Sequence, residues 1–464
     1  MANERIESDS VGSLSIPAEA YYGVNAARAK VNFPISGQSL RPEQIQALAH
    51  VKKAAARVNA RHGSISQEAC DAIEKACDEL LAGQWAKEFV CDPVQGGAGT
   101  SANMNANEVI ANRANEILGQ GLGTYKPVHP NDTVNFGQST NDVYPTSGKL
   151  AALMLWDQAR PKMEALVQAF RAKAKEFEDV VKVGRTQLED AVPMTLGQEF
   201  DAYAEALSRA LGHLDTVMDY LLVINMGGTA IGSGITATGS YIKEIVPELA
   251  QITGYAFTQA KSLFDGTSNL DVYAYVSGGL KAFAMALSKI CNDLRLMSSG
   301  PRAGLGEMTL PPRQNGSSIM PGKINPVIPE VVTQVAFAVA GNDVTISMCV
   351  EGGQLELNAF EPVLFFKLFE SISWLGDACD TLKVHCVDGI VANEERCTEL
   401  LENSMAVITY LKPFLGYTKA AAIAKEALET RKTVREILSA PGMIPAPHTL
   451  EEILNAKAMT ERPE

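Results

Sequence analysis

Three stretches of this chain repeat apolar residues at alternating spacings of four and three. Val276, Leu280, Phe283, Leu287, Ile290, Leu294 and Met297 form one. Leu368, Ile372, Leu375, Cys379 and Leu382 form the second, and Tyr203, Leu207, Leu211, Leu214, Val217 and Leu221 the third. At 3.6 residues per turn, this spacing places each set on one narrow stripe of a helix. Two more long helices are expected, from Tyr144 to about Asp179, with Pro161 as a break or kink, and from Pro326 to Cys349. Such helices span roughly 40 Å at ~1.5 Å per residue. A helix with an apolar stripe buries it against neighbours, in its own chain or in another. The fold class is therefore mainly α, built on long bundled helices, with each stripe read as plain core.

Strand-like alternation is scarce. The first 40 residues hold a short candidate around Ser13-Leu14-Ser15-Ile16. Glycines cluster at Gly96-Gly97-Ala98-Gly99, at Gly227-Gly228 and at Gly232-Ser233-Gly234. None is followed by Gly-Lys-Ser/Thr, and none has the strand–turn–helix setting of a dinucleotide fingerprint. The long stripes stop near residue 393. The tail beyond, with Pro413, Pro441, Pro445 and Pro447, reads as a small helical appendage.

Apolar residues make up 46% of the 464, enough for a sizeable core and for two or three domains. The formal charge is −14, from 40 basic and 54 acidic residues. A nucleic-acid binder would carry a basic face, so no such partner is expected. An anionic ligand would meet an unfavourable long-range field. Its site needs local positive potential from a lysine, helix N-termini or backbone N–H groups. No run approaches the ~18 uninterrupted apolar residues of a membrane span. The longest candidate, Val331 to Ala340, is interrupted by Gln334 and ends at Gly341-Asn342-Asp343. Met1-Ala2-Asn3-Glu4-Arg5 begins no signal or transit segment. The expectation is a cytoplasmic protein with no membrane partner. The eight cysteines form no C-x-x-C pair and the six histidines no H-E-x-x-H. Cys70/Cys77 and Cys379/Cys386 each lie two helical turns apart. They read as reduced core cysteines, with a structural zinc site as the weaker alternative.

Four segments between or at the ends of the long helices are polar and rich in small residues. They are Gln95 to Asn105; His129-Pro130-Asn131-Asp132 with Gln138-Ser139-Thr140-Asn141-Asp142; Gly184-Arg185-Thr186-Gln187-Leu188-Glu189-Asp190; and Gly316-Ser317-Ser318-Ile319-Met320-Pro321-Gly322-Lys323-Ile324-Asn325-Pro326. Taken singly, a Ser, Thr or Asn before a helix is as readily an N-cap as a ligand contact. Taken together, the hydroxyls, amides and one lysine offer what binds two carboxylates without bulky charge, which suits a small dicarboxylate. No Ser-His-Asp order or G-x-S-x-G elbow supports acyl transfer.

Gly316 to Pro326 resembles the loop G-S-S-x-M-P-x-K-x-N of the aspartase/fumarase superfamily, a motif too long for frequent chance matches. The other three segments are similar to that superfamily's remaining conserved regions, in the same order. The likeness runs from Ala20-Tyr21-Tyr22-Gly23-Val24 to Tyr410-Leu411-Lys412-Pro413. It implies a three-domain fold, with an N-terminal domain over 1–142, a central helical bundle over 143–393 and a small C-terminal domain over 394–464. It further implies a homotetramer whose core is the bundle and whose sites each draw segments from three subunits. The aspartase branch is nearer than the fumarase branch. Fumarases carry histidine after G-R-T, where this chain has Gln187, and commonly H-P-N-D-H, where it has Thr133. Asp190 to Glu199 and Tyr21 to Val24 also resemble aspartases more closely.

The resemblance implies reversible elimination of ammonia from L-aspartate to give fumarate. Ser317 would be the general base, and an aci-carboxylate the intermediate. Thr100, Ser139, Thr140 and Ser318 would hold the β-carboxylate, and Thr186, Lys323 and Asn325 the α-carboxylate. Asn141 and Gln187, helped by Thr100, would take the amino group. No resident cofactor or metal ligand is expected; activation by a divalent cation such as Mg2+ is left open. Gly316 and Gly322 bracket the Ser317 loop, which suits a lid, with a fixed turn as the alternative. His129, Asn131 and Asp132 either form a second dicarboxylate site, as in some relatives, or cap and pack a loop, the simpler reading. A fumarate hydratase is the nearest rival activity, opposed by Gln187, which cannot shuttle a proton as histidine can. A non-catalytic structural relative is a distant third, opposed by the retention of Ser317, Lys323 and Asn325.

Overall fold

The computed structural model describes residues 3–460. The chain opens with an antiparallel pair, β1 (Glu4–Asp9) and β2 (Gly12–Pro17), at the place where alternation predicts a strand. Helices α1 (Val24–Asn32), α2 (Pro42–Arg61), α3 (Gln67–Leu81) and α4 (Thr100–Ile117) follow, and then α5 (Thr140–Glu176). A hairpin of β3 (Val181–Thr186) and β4 (Glu189–Thr195) separates α5 from α6 (Leu196–Met218). Next come α7 (Gly239–Thr253), α8 (Leu263–Ser268), α9 (Asp271–Met297), α10 (Val327–Glu351) and α11 (Glu361–His385). Five short helices, α12 (Glu394–Glu402), α13 (Ile408–Leu415), α14 (Tyr417–Thr430), α15 (Val434–Leu438) and α16 (Leu450–Ile453), make the helical tail that the sequence predicts.

The described residues form two compact units. One comprises the chain up to Arg160 with Gly212–Ala282 and Ala338–Leu375; the other comprises Pro161–Leu211, Phe283–Phe337 and the chain from Gly376. Every residue of the three apolar stripes is buried. In the first unit, Phe365 of α11 meets Tyr144 of α5 and Tyr273 of α9 edge-on, with ring centroids 5.6 and 5.3 Å apart. Gly148 makes this approach possible, since a Cβ there would fall 2.0 Å from the Phe365 ring. In the second unit, Phe170 of α5 packs on Phe200 and Tyr203 of α6, with centroids 5.9 and 6.0 Å away. All eight cysteines are buried and free of disulfides, in line with their reading as reduced core cysteines.

One expectation needs correction in part. Pro161 does not break α5, which runs through it. A mid-helix proline costs roughly 3 kcal/mol. Leu155, Trp156 and Ala159 before it and Met163, Leu166 and Val167 after it are all buried, and that packing outweighs the cost. The apolar segment from Val331 to Ala340 lies, as expected, within a long helix. It belongs to α10, a 25-residue helix that by length and composition alone is apolar enough to cross a membrane. The polar residues that end the apolar run are bonded inside the first unit. Asp343 accepts from Ser277 at 2.7 Å and pairs with Lys281, and Asn342 donates to Glu370 and Ser371. Those buried polar contacts are the mark of a packed bundle helix. Phe337, Val344 and Met348 nevertheless share an exposed face of α10, each at least 60% accessible.

Candidate active site

Thr100 opens α4. Gly99 before it adopts φ +89°, and a Cβ there would lie 2.3 Å from the Tyr144 ring. Only glycine lets the start of α4 close on the start of α5. Ser139 caps α5, its Oγ accepting from the Asn141 N–H at 3.2 Å, and Thr140 is the first residue of that helix. Thr100, Ser139, Thr140 and Asn141 are thus gathered at two helix N-termini, whose unpaired N–H groups and dipoles favour a carboxylate.

Their hydrogen bonds assign donors and acceptors. The Thr100 hydroxyl donates to the Gly97 carbonyl at 2.7 Å, leaving its lone pairs open. Asn141 donates its side-chain NH2 to the Ala230 carbonyl at 2.7 Å, so its Oδ1 is the end that remains to accept. Asn103 donates to the Thr140 hydroxyl oxygen at 3.1 Å. Asp142 anchors the whole turn. Its carboxylate accepts from the backbone N–H groups of Ser139, Gly227 and Thr229, at 3.0, 3.1 and 3.0 Å. Burial pushes this carboxyl up to about 6, against those hydrogen bonds. Beneath the turn, Lys52 is fully buried, and that burial brings its ammonium down to about 7.

The second unit holds the remaining predicted residues. Thr186 and Gln187 stand at the tip of the β3–β4 hairpin. Gln187 and Leu188 form its two-residue turn with φ +55° and +69°. Both central positions of such a turn need positive φ, normally met by Asn-Gly, so a Gln-Leu pair there stores backbone strain. The hairpin is held from two sides. Val183 lies in one apolar cluster with Leu401, Val407, Leu411, Ile423 and Ile437 of the tail. Arg185 donates to the fully buried Glu307 at 2.9 Å, which also pairs with Lys182 at 3.2 Å, and Lys182 reaches Glu199 at 2.6 Å. The sequence motifs did not single out Glu307 or Lys182; Arg185 was visible only as the neighbour of Thr186.

The Ser317 loop is closed at its base. The Gly316 N–H donates to the Lys323 carbonyl at 2.9 Å, and Asn325 Nδ2 donates to the Gly316 carbonyl at 2.7 Å. A Cβ at Gly316 would lie 2.7 Å from the Asn325 nitrogen, so glycine is required there. Within the loop, Ser317 Oγ accepts from the backbone N–H groups of Ile319 and Met320, at 3.2 and 3.0 Å. Ser318 and Lys323 are exposed, and among the described residues the Lys323 ammonium has no partner. Gly322, Lys323 and Asn325 line a cleft of about 730 Å³ with Arg295, Arg313 and Ser298, and no carboxylate lines it. Local positive potential of this kind offsets the acidic chain as a whole. A smaller cavity of about 210 Å³, lined by Val181, Leu401, Val407 and Leu454, holds none of the motif residues.

His129 caps a turn. Its Nδ1 accepts from the N–H groups of Asn131 and Asp132 at 3.2 and 3.1 Å, capping the turn Pro130–Val134, while Asp132 projects into solvent. Among the described residues, no three His, Cys, Asp or Glu side chains are grouped to hold a metal ion.

Comparison with known proteins agrees with these motifs. The family described as Lyase matches residues 12–341, and the family Fumarase C C-terminus matches residues 407–461. An aspartate ammonia-lyase of Pseudomonas aeruginosa is 51% identical over 94% of this chain and 93% of its own length. The crystal structure of a fumarate lyase:delta crystallin from Brucella melitensis, bound to cobalt, superposes with a TM-score of 0.96. It is 47% identical over 99% of this chain and 100% of that one. A class II fumarase from Schistosoma mansoni shares the fold, with a TM-score of 0.93, but is 34% identical, over 98% of this chain and 99% of that one. The chain belongs to the aspartase/fumarase lyase superfamily, and within it to the aspartate ammonia-lyases.

Proposed function

We propose that the chain eliminates ammonia from L-aspartate to give fumarate, reversibly, with Ser317 as general base and an aci-carboxylate intermediate. The observation that carries this reading is the pair of backbone N–H groups aimed at Ser317 Oγ. A serine hydroxyl is a poor base at neutral pH, and two preorganised donors stabilise its alkoxide. The proton it removes lies beside a carboxylate. Removal leaves about one extra negative charge, which Ser139 and Thr140 at the start of α5 and Ser318 of the Ser317 loop meet with hydroxyl donors. Lys323, Thr186 and Asn325 hold the α-carboxylate. Asn141 Oδ1 and Thr100, whose own proton is engaged by Gly97, accept from the ammonium together with Gln187. No resident cofactor takes part in these steps. The setting is the cytoplasm. The test is production of fumarate, followed by its ultraviolet absorbance, from purified enzyme and L-aspartate, and no fumarate would refute it.

Lys323→Ala is expected to weaken succinate-type inhibitors as well as turnover, on the order of 10²-fold for a lost charge-assisted contact. Unchanged inhibitor affinity would remove Lys323 from the α-carboxylate.

The same reading assigns a homotetramer with each site assembled from three subunits. The exposed Phe337, Val344 and Met348 face of α10 supports it, since an apolar stripe on a long helix is a surface for another helix. Co-refolded Ser317→Ala and Thr186→Ala chains should then regain activity, because some mixed sites draw both intact residues from different chains. Confirmed mixed tetramers without recovered activity would contradict shared sites.

A further inference from the structure

Lys52 of α2 is completely buried, and among the described residues its ammonium forms no ion pair with a carboxylate. It donates instead to two amide oxygens, Asn135 Oδ1 at 2.7 Å and Gln138 Oε1 at 3.0 Å. Those amides are thereby oriented oxygen towards lysine. Their NH2 groups turn to backbone carbonyls: Asn135 to Gln138, and Gln138 to Val134 and Phe136. Asn135 Oδ1 also accepts from the side-chain NH2 groups of Asn103 at 3.3 Å and Asn107 at 3.2 Å. The Asn103 NH2 group has a second contact, with the Thr140 hydroxyl oxygen at 3.1 Å.

The direction of each bond follows from the one before. An ammonium can only donate, so Asn135 Oδ1 is an acceptor. Asn103 must then present its NH2 and not its oxygen to Asn135, and the same NH2 reaches Thr140. A hydroxyl that accepts from Asn103 retains its own proton for another partner. The arrangement leaves the buried Asn103 Oδ1 without a hydrogen-bond partner among the described residues. Flipping this amide would let Thr140 donate to that oxygen and satisfy it, but would set two carbonyl oxygens against each other at Asn135. The unsatisfied oxygen is thus the cost of the orientation that Lys52 imposes.

We propose that Asn103, oriented by Lys52 through Asn135, is a positioning residue that keeps the Thr140 hydroxyl available as a donor to the substrate carboxylate. This rests on the assignment of Thr140 to the carboxylate, made above. Asn103 and Lys52 act through Thr140 and touch no reacting atom themselves.

The test is a double-mutant cycle on the full-length enzyme. Asn103→Asp replaces the donor facing Thr140 with an acceptor that takes the hydroxyl proton. It is expected to lower kcat/KM for L-aspartate by roughly 10- to 100-fold, the range for a hydrogen bond to a charged group. Thr140→Val should cost a similar factor and divide it similarly between kcat and KM. In the Thr140→Val background, adding Asn103→Asp should cost less than about threefold, because the hydroxyl it acts on is gone. Additive losses would overturn the positioning role, since a merely structural asparagine harms both backgrounds alike. A harmless Asn103→Asp beside an impaired Thr140→Val would overturn it too. A Thr140→Val enzyme with wild-type kinetics would instead refute the underlying assignment of Thr140. If the aspartate variant does not fold, Asn103→Ser takes its place in the same cycle, where non-additive losses support the positioning role and additive losses overturn it.

Discussion

Ser317→Ala is expected to lower kcat by about 10²- to 10⁴-fold, the range that a positioned general base contributes, while succinate-type inhibitors still bind. Ser317 is distinguished from its neighbour Ser318 in the Gly316–Gly322 loop by the Ile319 and Met320 N–H groups, which already point at its oxygen. Alanine leaves those donors without their acceptor but keeps the contacts that close the loop's base, Gly316 to Lys323 and Asn325 to Gly316. Lys323, Thr186 and Asn325 are untouched, so dicarboxylate affinity should persist while proton abstraction fails. Steady-state kinetics with an inhibitor titration on the same preparation separates the two effects. A variant retaining more than about a tenth of the wild-type rate would take Ser317 out of the base role.

What could be read from the chain, and what could not, divides along physical lines. The bundle helices were legible because a stripe at spacings of four and three has one structural meaning, and every member of the stripe from Val276 to Met297 is buried. The Ser317 loop was legible because its motif is long. The β3–β4 hairpin was not, although it carries Thr186 and Gln187. Its strands are six and seven residues long, Gly184 sits at a register shift, Pro193 lies inside β4, and the turn is Gln-Leu where a hairpin signal would be Asn-Gly. Its anchorage is long-range as well, through Glu307 and the tail cluster around Leu411.

Lys52 was missed for a different reason. Beside Lys53 it looks like half of a solvated charge pair, and Lys53 does bond to Asp78. A signal existed. Lys52 falls on the face of α2 shared by Ile45, Leu48, Ala55 and Asn59, all buried, and a lysine within an apolar stripe needs an explanation. Pro161 shows the reverse failure, a strong local rule overridden by packing on both sides of it.

The choice between ammonia and water as leaving group depends on what can deliver a proton. The amine of L-aspartate leaves already protonated, so its departure needs no strong general acid. The hydroxyl of L-malate must gain a proton as it leaves, from a group able to give one near neutral pH. Gln187, at the hairpin tip, can accept from an ammonium through its carbonyl oxygen but cannot supply that proton. Asn141 is likewise arranged as an acceptor, its NH2 being held by Ala230. Gln187→His alone should therefore not create efficient malate turnover, because Asn141 and Thr100, the proposed acceptors for the ammonium, remain. The most direct measurement is kcat/KM for fumarate formation from L-aspartate and from L-malate on one wild-type preparation. Ready turnover of aspartate with negligible turnover of malate is the predicted result. A malate value within about tenfold of the aspartate value, less than the ~1.4 kcal/mol of discrimination that one well-placed polar contact supplies, would contradict ammonia elimination as the reaction of this site.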